Sequence, residues 1–310
     1  MKHYSVLLNE SIEALRIKEN GIYVDGTLGR GGHSAEILKQ IHSGHLYAFD
    51  RDQKAIEETK PRLLEINSNF TLIHANFSQL KSELEKYGIE QIDGMVLDLG
   101  VSSPQFDEAQ RGFSYRFDAP LDMRMDQSQT LDAATIVNTW EYQQLVTILF
   151  QYGEEKFAKQ IARKIEARRI DKPIETTFEL VDVIRSALPS KVLNSKGHPA
   201  KKTFQAIRIA VNDELAELRN VLEEALSILK VDGRLAVISF HSLEDRIVKE
   251  SFQKYAVAPK VDKRILLMPD QIEEPPFQLV NRKVILPGSE ELEENNRSHS
   301  AKLRVIERRK

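Results

Sequence analysis

The sequence predicts an α/β fold in which a parallel sheet with helices on both faces is interrupted by an all-helical segment. Three observations carry this. Short apolar runs alternate with helical patterns through the first hundred residues; no convincing strand occurs between about Phe106 and Gln205; and a strand pattern returns near Arg234. The resulting division is a discontinuous sheet domain, residues 1–105 and 206–310, around an inserted helical domain, residues 106–205.

Each element follows from its local pattern. Ile22-Tyr23-Val24 is a buried strand and Ser34 to Ile41 the helix after it. Leu46 to Phe49, Phe70 to Ile73 and Ile92 to Leu97 are further strands, separated by helices over Gln53 to Glu65 and Phe77 to Tyr87. The middle third reads as helices over 131–137, 142–150, 155–167 and 178–187. One long helix from about Phe204 to Leu229 leads through Asp232-Gly233 into a strand, Arg234 to Phe240, and a helix from Leu243 to Tyr255. The alternating tail, Ser300 to Arg308, is expected to close the sheet as an edge strand.

Composition narrows the class. Hydrophobic residues make up 41% and charged residues 29%, ordinary values for a water-soluble globular chain. No apolar run is long enough to span a bilayer, and the first residues lack the apolar core of a signal peptide, so a cytoplasmic enzyme without membrane contact is expected. Cysteine is absent, which removes disulfides, thiolate metal sites and any reaction that needs a cysteine nucleophile to activate a pyrimidine ring carbon. Net charge is only −3, so a nucleic-acid surface, if present, must be local.

The run Asp25-Gly26-Thr27-Leu28-Gly29-Arg30-Gly31-Gly32-His33 follows the first strand, where open parallel sheets take their ligands. Asp50 ends the second strand about twenty residues on, where a carboxylate commonly takes ribose hydroxyls. Taken alone these features fit NAD or S-adenosylmethionine. Two details favour the second: Ser34 stands where a dinucleotide loop wants its third glycine, and Asp25, Asp50 and Asp98 place carboxylates at three strand ends, which suits a cation. The fourth strand ends in Asp98-Leu99-Gly100-Val101-Ser102-Ser103-Pro104-Gln105, whose acceptors can surround an amine of low nucleophilicity. The resumed strand ends in Phe240-His241-Ser242. There His241 and Ser242 either line a base pocket or form a helix cap from Ser242 to Asp245, and Phe240 either stacks on the base or finishes the core.

Long ordered blocks also carry a resemblance. HYSVLLNE at 3–10, YVDGTLGRGGHS at 23–34, FDRDQKAI at 49–56 and DGMVLDLGVSSPQFDEAQRGFSYRFDAPLDMRMD at 93–126 are four of them. YGEEKFAKQIARKI at 152–165, HPAKKTFQAIRIAVNDEL at 198–215 and GRLAVISFHSLEDRIVK at 233–249 complete the set. With these blocks the chain resembles the bacterial 16S rRNA (cytosine-N4)-methyltransferase family, RsmH/MraW, over nearly its whole length. The resemblance implies a Rossmann-like methyltransferase sheet with a helical insertion after the fourth strand. It also implies S-adenosyl-L-methionine as cofactor and the N4 amine of a decoding-centre cytidine as acceptor, in 16S rRNA within the 30S subunit or its late precursor. Direct transfer without a covalent enzyme intermediate is expected.

The cofactor candidates, from the loop and the resemblance together, are Asp25, Gly29, Gly31, Gly32, His33, Asp50, Phe77, Asp98 and Gln105. Those for the transfer site are Asp98, Ser102, Ser103, Pro104 and His241. Between Glu154 and Arg208 there are 13 Lys or Arg against 7 Asp or Glu, an imbalance that favours a phosphate-facing surface. Arg163, Lys164, Arg168, Arg169, Lys201 and Lys202 are the preferred RNA contacts; Arg297 to Lys310 is similarly basic, and Glu290 to Glu294 is an acidic surface loop. Asp118, Asp122 and Asp126 are assigned to capping and to pairing with Arg116 and Arg124, with no metal expected. A nicotinamide-dependent oxidoreductase, a non-catalytic RNA-binding assembly factor and a methyltransferase for protein or small molecules stay as alternatives. Oligomeric state, including a homodimer, stays open.

Overall fold

The computed structural model describes residues 5–101, 103–257, 274–295 and 297–310, without the side chains of Ser103 and Pro104. Among the described residues seven strands form one sheet: β1 (Ile22–Asp25), β2 (His45–Asp50), β3 (Phe70–His74), β4 (Ile92–Asp98), β5 (Leu229–Ser239), β6 (Phe277–Leu279) and β7 (Lys302–Arg308). Their spatial order is β3-β2-β1-β4-β5-β7-β6. The first five are parallel to one another, whereas β7 runs antiparallel to both β5 and β6. β1 and β4 are adjacent although two strands separate them in sequence, so the sheet is wound in opposite directions from this point. Open α/β sheets take ligands at such a switch, outside the carboxyl ends of the strands. This is the Rossmann-like class.

β4 is buried over Ile92 to Leu97, as a central parallel strand covered on both faces must be. Around it Val24, Ile37, Leu38, Leu46, Val96, Ala236 and Ile238 fill the core. Two expectations for the sheet need correction. β5 begins at Leu229, not Arg234, because its start pairs with Ile92 across a register shift that accommodates extra residues, with Asp232 at φ 65°. The tail strand is internal: three-residue β6 takes the edge beside β7, and the short edge strand limits exposed pairing groups.

By contact the chain divides into two compact units, residues 1–100 with 215–310 and residues 101–214. The second contains no strand among its described residues. Its core joins Leu145, Leu149, Ile161, Ile165, Leu180, Ile184, Phe204 and Ile207, contributed at helical spacing by Tyr142–Gln151, Ala158–Asp171, Thr177–Ala187 and Lys201–Asn212. The single helix expected over Phe204 to Leu229 is two, Lys201–Asn212 and Glu214–Ile228, broken at Asp213 with φ 47°. Aspartate is among the few side chains that tolerate this left-handed conformation. Asn212, buried, fixes the end of the first helix by accepting from the Met125 amide (2.8 Å) and donating to the Met123 carbonyl (2.8 Å). No helix of the described residues is long and apolar enough to cross a membrane.

Candidate active site

Three parallel strands deliver a carboxylate each to one end of the sheet. Asp25, 1% exposed, closes β1 and is held by the Ser34 hydroxyl (2.7 Å) and the Thr27 amide (3.1 Å). Asp50 closes β2 and accepts from the amides of Gly29 (2.8 Å) and Asp52 (2.8 Å). Burial pushes the Asp50 carboxyl up to about 6, against the pull of these two amides. Asp98 closes β4, and its amide donates to the Thr27 hydroxyl (2.7 Å), which ties the glycine loop to the fourth strand.

The glycines serve this loop in two ways. A Cβ on Gly31 would lie 2.4 Å from the Thr59 methyl, at φ +68°, and one on Gly32 would lie 1.9 Å from the Ser5 hydroxyl. These two residues are therefore small so that other parts of the chain can close over the loop, rather than for the approach of a ligand. Gly29, at φ +48°, would bring a Cβ no closer than 3.8 Å, to the Thr27 carbonyl, and presents its amide to Asp50. Gly31→Ala is expected to cost about 2–4 kcal/mol, the sum of left-handed strain and overpacking. A thermal melt that shifts by less than a degree would show that Thr59 simply moves aside.

His33 is 3% exposed, and its Nδ1 lies 4.0 Å from Asp98 Oδ2. Burial lowers its basicity, outweighing the attraction of Asp25, so the ring is neutral. Burial also raises the Asp98 carboxyl well above the usual carboxylate range, and the negative charges of Asp25, Glu244 and Glu291 push it further. Neither Asp25 nor Asp98 has a lysine or arginine partner among the described residues. Two buried polar atoms here, His33 Nε2 and Asp98 Oδ1, have no hydrogen-bond partner among the described residues. Unpartnered buried groups are costly and uncommon, and they mark a place where a ligand supplies the missing contact.

The neighbouring elements complete the cluster. Phe77 opens a short turn after β3, with its Cβ 3.5 Å from a Cβ built on Gly26 and the Arg51 guanidinium 5.7 Å from its ring centre. Arg51 is in turn held by Glu217 (2.8 Å). His241 is the cap of the helix Ser242–Ala256: its Nδ1 accepts from the Glu244 amide, and Glu244 accepts from the amides of Phe240 (2.8 Å) and His241 (3.2 Å). The cap is thus His241 with Glu244, not Ser242 with Asp245. Asp245 instead pairs with Lys302 (3.1 Å) and Arg304 (2.7 Å), so these two tail cations tie β7 to the helix Ser242–Ala256.

Asp25, Gly29, Gly31, Gly32, His33, Asp50, Phe77, Asp98 and His241 are therefore linked in one cluster of the first unit. Sequence reasoning missed three members. Thr27 stitches β1 to β4, Glu244 is 2% exposed, and Glu291 accepts from the Leu7 amide (3.0 Å) from within a helix, Ser289–Glu294, rather than an acidic loop. A cap of Ser242 with Asp245 three residues later was visible in the sequence, one residue out of register with the box that forms. Ser102 lies outside the described residues. Ser103 and Pro104 begin the helix Ser103–Asp107, and Gln105, buried in it, belongs to the second unit.

The basic candidates also fall in the second unit and divide by what they touch. Arg169 donates to the carbonyls of Val137 (2.9 Å) and Trp140 (2.7 Å), Arg168 donates to the Lys172 carbonyl (2.7 Å), and Lys202 donates to the Glu154 carbonyl (2.9 Å). Arg163 and Lys164 are exposed on the helix Ala158–Asp171, where Lys159 shares their face and Lys156, just before the helix, continues the line. Among the described residues none of these four makes an ion pair, nor does Lys201. Asp122 pairs with Arg124 (2.7 Å), Asp118 accepts from the Phe178 amide (3.3 Å), and Asp126 accepts from Ser128.

Comparison with known proteins places this chain. The model of the MraW methylase family matches residues 1–309. The ribosomal RNA small subunit methyltransferase H of Limosilactobacillus fermentum is 55% identical over 311 residues, covering 99% of this chain and 98% of the relative. The protein of the same name from Exiguobacterium sibiricum is 54% identical, covering 100% and 99%. Among solved structures, an rRNA methylase from Streptococcus thermophilus covers 100% of this chain and 99% of its own at 15% identity and a TM-score of 0.41. A SAM-dependent O-methyltransferase from Thermotoga maritima covers 100% and 68% at 10% identity and a TM-score of 0.42. On the end-to-end family match and relatives more than half identical over their full length, the chain belongs to the MraW methylase family.

Proposed function

We propose that this protein transfers the methyl group of S-adenosylmethionine to the exocyclic N4 amine of a decoding-centre cytidine in 16S ribosomal RNA. The observation that carries the cofactor half is the cluster at the switch point. Half-buried Asp98 and buried His33 each keep a buried, unpartnered atom, among carboxylates and, among the described residues, without a lysine or arginine. A ligand with ammonium and sulfonium charges satisfies such a site; a pyrophosphate would be repelled by it. The acceptor half rests on family membership and on the names of the two relatives.

S-adenosylmethionine, when bound, supplies an electrophilic methyl carbon. The residues of the chain do the rest. Asp98 would take an N–H of the methyl donor at its free Oδ1, neutral His33 would fill the wall beside it, Asp50 would take ribose hydroxyls, and Phe77 would lie against the adenine. A cytosine N4 lone pair is delocalised into the ring, and acceptors of the kind Asp98 and the following carbonyls provide localise it and draw its proton. With no cysteine in the chain, a thiolate adduct at the ring carbon is excluded and direct transfer to nitrogen remains.

Incubation with labelled methyl donor and unmodified 30S subunits tests the reaction: label is expected in N4-methylcytidine of the 16S RNA. RNA binding with no label would favour the non-catalytic factor. The subunit is proposed to be engaged through Lys156, Lys159, Arg163, Lys164 and Lys201. Reversing Lys159, Arg163 and Lys164 to glutamate is expected to weaken binding and lower its dependence on salt by about two to three phosphate contacts. An unchanged salt slope removes this helix face from the interface.

A further inference from the structure

A second cluster of chemistry-bearing side chains lies in the second unit, apart from the basic helix face. The imidazole of His198 stacks on the ring of Tyr115, with centroids 4.2 Å apart and planes 10° from parallel. Tyr115 is itself fixed edge-on against buried Phe204 at 5.6 Å and 89°. The Ala200 amide donates to His198 Nδ1 (3.2 Å), so the neutral ring carries its proton on Nε2. Burial lowers the basicity of His198, and the positive charges of Arg185 and Arg116 lower it further, so both guanidiniums act on this imidazole.

Arg116 and Arg185 are exposed, and among the described residues neither makes an ion pair or a side-chain hydrogen bond. Arg116, next in the chain to the stacked Tyr115, and Arg185 thus bring two positive charges and an N–H donor to one rigid ring, an arrangement that no ion pair among the described residues neutralises. An anion relieves it, and guanidiniums suit phosphate through their forked geometry. The C-terminal turn of the helix Thr177–Ala187 gives Arg185 a favourable dipole but offers Arg116 nothing.

We infer that Arg116, Arg185 and the Nε2–H of His198, stacked on Tyr115, form a receptor for a backbone phosphate of the RNA substrate. This rests on the proposed rRNA reading and adds a contact to it. The stack sets the plane of the imidazole in advance, so little freedom is lost when the phosphate is received.

The test compares wild-type protein with Arg116→Gln/Arg185→Gln and Arg116→Glu/Arg185→Glu, measuring binding to 30S subunits over a range of salt, methyl transfer and affinity for S-adenosylhomocysteine. The glutamine pair is expected to reduce the salt dependence by about two phosphate contacts and to raise KM for the subunit roughly tenfold or more. Affinity for S-adenosylhomocysteine and the melting temperature should be unchanged. His198→Ala should share the KM effect in smaller measure. An unchanged salt slope and KM in the glutamine pair overturns the inference. So does an effect with subunits that is absent on protein-free 16S RNA at low salt, which would assign the patch to a ribosomal protein. Failure of the rRNA reading itself is distinct, because wild-type protein would then transfer no label to either RNA.

Discussion

Asp98→Asn is expected to lower affinity for S-adenosylmethionine about 10²-fold or more while leaving the ligand-free protein as stable as wild type, or more so, above neutral pH. The first half follows from removing a charge whose free Oδ1 awaits a cation, a loss of about 3 kcal/mol. The second follows from the sign of the shift. Burial and then Asp25, Glu244 and Glu291 raise the Asp98 carboxyl in the folded state, so ionising it disfavours the fold. That penalty grows as pH rises from the ordinary carboxylate value toward the raised one and is complete above it. Asparagine, of nearly the same shape, carries no such charge. Equilibrium dialysis with labelled donor and melts at about pH 8 check both halves, the pH lying above the ordinary carboxylate value. A melting temperature several degrees below wild type would instead make Asp98 a structural residue.

Arg234→Met is expected to destabilise the sheet unit by about 3–5 kcal/mol, the largest stability effect we foresee from one substitution. Arg234, on β5, is 4% exposed; its Nε donates to Glu307 of β7 (2.6 Å) and its Nη1 to the Ala14 carbonyl (2.7 Å). Burial raises the Glu307 carboxyl, but the hydrogen bonds from Arg234 and Gln278 overrule this and hold it below its ordinary value. The stability it contributes is therefore present above the ordinary carboxylate pKa and is lost as pH falls through the folded one. Removing Arg234 leaves a buried carboxylate short of its main partner. Arg234→Met with Glu307→Leu removes both charges and should recover most of the loss, as measured by urea unfolding. If the double variant is no more stable than the single, packing rather than charge accounts for the effect.

Much of the sheet was legible because its signals are local. Val24, Leu46 to Phe49 and Val96-Leu97 are short apolar runs that end in aspartates, and the parallel class follows from their alternation with helices. The break at Asp213 was not legible, since helical spacing continues on both sides and only a left-handed residue marks it. The place of the tail strand was hidden too, because its neighbour β6 has three residues and no periodicity to read. In the site, Asp25, Asp50 and Asp98 were legible from their positions at strand ends. Glu291 was not: it reaches Leu7 across 284 residues, and in sequence it is one glutamate of an acidic run. Among the cations, count predicted a basic surface, but only structure separates Arg169, spent on two carbonyls, from exposed Arg163.

The central claim is that the carboxylate-rich switch point holds a cationic methyl donor and that Asp98 ionises to receive it. Calorimetric titration with S-adenosylmethionine, repeated in buffers of different ionisation enthalpy, tests this most directly. The groups facing Asp98 are neutral His33 and the carboxylates Asp25, Glu244 and Glu291, so the proton at issue belongs to the acid cluster. Below the raised value of Asp98, binding should release up to about one proton, and affinity should climb up to about tenfold per pH unit before levelling off. Tight binding of NADH with no response to S-adenosylmethionine, or donor binding that releases no proton at any pH, would contradict the account.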